Sequence, residues 1–87
     1  MDSVSYSREI RNRLSKNIGH LSKVREMIDG GESFDRVMLQ LSAVRKSLAG
    51  TSNALVAEQA QEELLAALQS ENPERIKNFY KDYAKFF

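Results

Sequence analysis

The chain has eighty-seven residues, no cysteine, one histidine and a formal net charge of +1. Together these point to one small domain, residues 1–87, whose own core is marginal because so short a chain hides only a modest share of its surface. They also exclude a disulfide framework, thiol nucleophiles and thiol redox sensing, and leave too few ligands for a structural zinc site, so stabilisation by self-association, at least into a dimer, is expected.

The near-zero net charge hides a polarity along the chain. Residues 1–46 carry a net +3, residues 47–71 a net −4 and residues 72–87 a net +2. Such asymmetry suggests that one part faces an anionic partner. The opening stretch Met1–Tyr6 lacks an apolar run and a basic flank, so it does not read as a signal peptide. No apolar run is long enough to span a bilayer, and a cytoplasmic protein with no membrane partner is expected.

Strong helix formers dominate and strand-like alternation is absent, so the fold class is all-α with three helices. The first covers about residues 5–29. Ile10, Leu14, Ile18, Leu21, Val24 and Ile28 recur at three- and four-residue steps and make one apolar stripe. Ser5 or Ser7 caps its start and Gly30-Gly31 ends it. The second covers about 34–69, with Ser33 as N-cap and Asp35 in the first turn. Val37, Leu41, Val44, Leu48, Leu55, Leu64 and Leu68 supply its apolar positions. Gly50-Thr51-Ser52-Asn53 is its weak point. A glycine inside a helix costs only ~1 kcal/mol against alanine, so one continuous helix is expected. The third covers about 73–86, with Asn72 as N-cap and Pro73 at the first helical position. It is short and aromatic, carrying Phe79, Tyr80, Tyr83 and Phe86, and must pack on the long helix or on a neighbouring subunit to persist in water.

Three constellations bear on chemistry. On the first helix, Arg8, Arg13, Lys16 and Lys23 fall within about 140° of one another, opposite the apolar stripe. A solvated face is the plain alternative. The functional one is phosphate contact, repeated by symmetry in an oligomer, with counterion release as the driving force. Glu58, Gln59, Glu62 and Glu63 form i, i+4 pairs that read as a solvated acidic face, since Ca²⁺ takes about 6–8 oxygen ligands. His20, the single histidine, sits at the edge of the apolar stripe and suits a structural role better than a metal. There is no phosphate-binding glycine loop, no HExxH and no plausible catalytic triad. No enzyme, no cofactor and no metal are therefore expected. A helical chorismate-mutase type of enzyme would need Arg and Lys inside the bundle, whereas Arg8, Arg13, Lys16 and Lys23 of helix 1 lie opposite its apolar stripe.

Two sequence blocks are more specific. Asn12-Arg13-Leu14, four residues, then Gly19-His20-Leu21 form the first. Val37-Met38, Gln40, Ser42-Ala43-Val44 and Ser47-Leu48 form the second. At their fixed spacing, over roughly residues 8–68, they resemble the CsoR/RcnR/FrmR family of bacterial repressors. The resemblance implies an antiparallel four-helix bundle dimer, a dimer of such dimers, and double-stranded operator DNA as partner. It places Arg13 and Arg45 at positions where the family carries DNA-binding arginines, joining Arg8, Lys16 and Lys23. It also implies an inducer site, from which this chain departs. The family's two cysteines and histidine fall at Phe34, Gln59 and Glu63, so thiolate-dependent sensing of Cu(I), persulfide or formaldehyde has no ligand here. Phe34 is expected to fill that site with apolar bulk. The alternative function is a degenerate paralogue, a helical interaction module or a subunit mixing with a cysteine-bearing sibling.

Overall fold

The computed structural model describes residues 4–87. Three α-helices follow in chain order: α1 (Arg8–Asp29), α2 (Phe34–Gln69) and α3 (Pro73–Tyr83), with a single 3₁₀ turn over Ala84–Phe86. No strand occurs among the described residues. The described residues form two compact units, the first ending at residue 52 and the second covering residues 53–87, and α2 contributes to both. Among the described residues no helix is long and apolar enough to cross a membrane.

The helix boundaries follow local chemistry. Ser7, not Ser5, caps α1, its Oγ accepting from the Ile10 amide at 3.2 Å. The helix therefore starts at Arg8, three residues later than the expected start near residue 5. At its other end the Glu32 amide donates to the Met27 carbonyl at 3.0 Å and the Gly31 amide to Ile28 at 3.1 Å. This paired closure needs a left-handed residue, and Gly31 supplies it with φ +70°. Ser33 accepts from the Arg36 amide at 3.4 Å and opens α2. Asn72 accepts from the Glu74 amide at 3.1 Å and Pro73 begins α3, as the sequence indicated. The last three residues of the third segment tighten into the 3₁₀ turn, so α3 itself ends at Tyr83.

In the first unit, α1 and the first part of α2 meet along two lines of seven-residue spacing. Ile10, Asn17 and Val24 are buried on α1. Val44 and Thr51 are buried on α2, with Val37 half-buried one heptad earlier. A repeat of seven keeps one seam facing its partner over several turns. This buried line takes up only one side of the α1 stripe. Leu14, Ile18, Leu21 and Ile28, on its other side, stay exposed in the single chain, as do Met38, Leu41 and Leu48 of α2.

The seam has a polar centre. Asn17 Nδ2 donates to Ser47 Oγ at 2.8 Å, and Thr51 Oγ1 donates to Asn17 Oδ1 at 2.7 Å, with the Ser47 carbonyl 3.2 Å away as a second acceptor. Every buried side-chain nitrogen and oxygen among the described residues has a partner. Gly50-Thr51-Ser52-Asn53, weak by propensity, is thus where a tertiary contact fastens α2. The helix runs through it without a break. Thr51→Val removes one hydroxyl and leaves buried Asn17 Oδ1 without its short partner, which is expected to cost about 1–3 kcal/mol. Asn17→Leu combined with Thr51→Val should recover most of that loss, because both polar partners leave together. Chemical denaturation of the two single variants and the double variant measures the coupling, and strict additivity would refute it.

In the second unit, α3 packs on the latter part of α2. Ala60 and Ala67 are buried on α2 and Phe79 on α3, with Ile76 and Tyr83 half-buried. Phe79 stacks on Tyr83, centroids 4.9 Å apart and planes 26° from parallel, and meets the Tyr80 ring edge-on at 5.5 Å. The aromatic helix thus buries Phe79 within its own chain, while Tyr80, Phe86 and Phe87 remain exposed.

Candidate nucleic-acid interface

Arg8, Arg13 and Lys16 come together in the first unit. They line an open cleft of about 610 Å³ whose other walls include Asn12, Ser47 and Thr51. The α1 periodicity sets the three cations on one side, and the Asn17–Ser47–Thr51 bonds hold the α2 wall in register with them. Glu9 shares this cleft, and its carboxylate lies 3.5 Å from Nε of Arg13. The pair is solvent-exposed, 46% and 75% at the two side chains. Such a pair is worth only about 0–1 kcal/mol and is screened by salt, so a phosphate competes readily for Arg13. Two guanidinium forks and one ammonium around an open cleft suit phosphate oxygens.

The other two predicted cations stand apart. Lys23 lines a second cleft of about 470 Å³ at the α1–α2 turn, with His20, Gln40, Arg36 and Glu32 among its walls. Arg36 there is paired with Glu32 at 3.2 Å. Arg45 is exposed and lines neither cleft. His20 is half-buried, with Nε2 3.0 Å from Oε1 of Gln40, a cross-helix contact that ties α1 to α2.

The acidic stretch of α2 has a different outcome. Gln59 and Glu63 converge in the second unit on Tyr83 of α3. Burial pushes the Tyr83 hydroxyl above its usual pKa, and the Glu63 carboxylate pushes it further in the same direction. A hydrogen bond with Gln59 acts against them, and Asp82 adds a smaller push upward. Phe34, the first residue of α2 in the other unit, is 76% exposed.

The family model of metal-sensitive transcriptional repressors matches residues 6–84. The chain belongs to that family. No curated protein and no solved structure matches it. The match takes in all three helices, α3 included, whereas the sequence blocks reached only about residue 68. As a member of the repressor family the chain is of a kind that regulates transcription rather than of an enzyme kind, and such repressors bind DNA and oligomerise. This repressor carries no cysteine anywhere.

Sequence reasoning missed two groups of residues in this repressor. Asn17 stands one heptad from both Ile10 and Val24, in the middle of the apolar stripe, and a polar residue at that position was the legible signal for a buried polar contact. Tyr83 gave no such signal, because its partners Gln59 and Glu63 lie twenty and more residues away across a turn.

Proposed function

We propose that this repressor acts in the cytoplasm as an oligomer that binds double-stranded operator DNA, with Arg8, Arg13 and Lys16 as its principal phosphate contacts and Lys23 and Arg45 as outlying ones. The convergence of the three α1 cations on one open cleft carries this reading. The exposed half of the α1 stripe supports self-association, because Leu14, Ile18, Leu21 and Ile28 present an apolar row that a second copy can cover. Residues 1–87 act as one repressor domain, with no catalytic function.

The inducer is not a thiolate-bound one. Phe34, Gln59 and Glu63 offer neither thiolate nor imidazole, the ligands that Cu(I) requires. Selection of genomic fragments by the purified protein at two salt concentrations, repeated with Cu(I), Ni(II) and Zn(II), tests both parts. Fragments should be enriched at the lower salt and lost steeply at the higher, because affinity falls with a slope of about −0.9 per neutralised phosphate. The metals should leave the enriched set unchanged. Enrichment that ignores salt refutes phosphate contact, and metal-driven release refutes the assignment of Phe34, Gln59 and Glu63 as a lost site.

A further inference from the structure

Away from the basic cleft, the second unit holds a small cavity of about 200 Å³ between α2 and α3. Its lining is chemically mixed. Glu63 of α2 and Asp82 of α3 supply carboxylates, Arg75 a guanidinium and Asn78 an amide. One wall is the stacked Phe79–Tyr83 pair. The three charged groups share the cavity without pairing. Among the described residues no nitrogen of Arg75 lies within 4.0 Å of a carboxylate oxygen, the ion pairs being Arg13–Glu9, Arg25–Asp29 and Arg36–Glu32.

We propose that this cavity binds a small zwitterion of amino-acid type. Its ammonium group would sit between Glu63 and Asp82, its carboxylate against Arg75 and Asn78, and its apolar part on the Phe79–Tyr83 wall. Opposite charges around one void that leave each other unpaired are complementary to a ligand bearing both signs. A simple amine would face Arg75, and a simple acid would face two carboxylates, each at a cost in like-charge repulsion. The aromatic wall adds a cation–π and stacking surface. The volume is below the 300–1,000 Å³ usual for drug-sized ligands and fits a molecule of roughly ten non-hydrogen atoms. The proposal stands whether or not the basic cleft binds DNA.

Titration of the isotope-labelled protein, free of DNA, with L-leucine, L-glutamine and L-phenylalanine tests the proposal by nuclear magnetic resonance. Two analogues of leucine serve as controls, 3-methylbutylamine without the carboxylate and 4-methylpentanoate without the amine. At least one zwitterion should shift the signals of Arg75, Asn78 and Asp82 and leave those of α1 in place. It should bind about two- to fivefold more tightly than its one-charge analogues, the effect of losing one contact to an exposed charged group. Arg75→Gln and Glu63→Gln, both at exposed positions, should each weaken it by about as much while the far-ultraviolet helix signal is unchanged. No shift from any of the three at millimolar concentration overturns the proposal. So does equal binding of the one-charge analogues, or binding that survives both substitutions.

Discussion

A protein carrying Arg13→Glu together with Arg45→Glu is expected to bind its selected DNA fragment at least about a hundredfold more weakly at moderate salt. The magnitude follows from counterion release. Each neutralised phosphate contributes a slope of about −0.9 in log affinity against log salt. Removing two of the proposed phosphate contacts from each protomer takes away roughly two units of slope for every protomer engaged, and the two reversed charges add repulsion from the phosphates. Arg13 lines the basic cleft and Arg45 is exposed, so neither substitution opens a cavity. The Glu9–Arg13 pair that disappears is an exposed one and takes little stability with it. Fluorescence anisotropy across a salt series reads both the affinity and the slope. Unchanged binding by a helical, oligomeric double variant would remove DNA contact from this face.

Phe79→Ala is expected to have the largest effect on stability. Phe79 is 8% exposed and is the buried aromatic of α3, stacked on Tyr83 and edge-on to Tyr80. Truncating a buried phenylalanine costs about 3–5 kcal/mol, from lost transfer energy and the cavity left behind. In a domain of this size each kcal/mol moves the Tm by about 4–8 °C, so a fall of more than about 10 °C is expected. The measurement holds protein concentration fixed, because an oligomer's Tm depends on it. The loss should be concentrated in the second unit: amides of α3 should exchange with solvent sooner, while those around Asn17 and Thr51 keep their protection. A shift of only a degree or two would mean that α3 contributes little to the folded state. Tyr80→Ala, which removes an exposed ring, is the control and should lie within a few degrees of the parent.

Most of the fold was legible residue by residue. Gly31, Ser33 and Asn72-Pro73 are local devices, each acting where the sequence placed it, and Ser7 is one of the two caps it offered for α1, because capping depends on only the next few residues. The stripe of α1 was legible too, but its division was not. The pattern cannot say that Ile10 and Val24 are covered within the chain while Leu14 and Ile18 stay exposed in it. The five predicted cations share a helix face or a family position, yet only Arg8, Arg13 and Lys16 line one cleft. Lys23 lies two turns further along α1, beside the α1–α2 turn.

Composition and periodicity by themselves determined the class, three helices in an all-α chain with a basic first half and no thiol. They could do so because helix period, capping and charge are properties of neighbouring residues. Tertiary structure decided what depends on residues distant in sequence. It made Asn17, Ser47 and Thr51 a single hydrogen-bonded centre across thirty and more positions, turning the weakest stretch of α2 into a point of attachment. It gathered Gln59 and Glu63 around Tyr83, and left Glu63, Arg75 and Asp82 facing one cavity unpaired. No local propensity encodes such meetings, because their energy comes from burial and from hydrogen bonds that exist only once the helices have closed on each other.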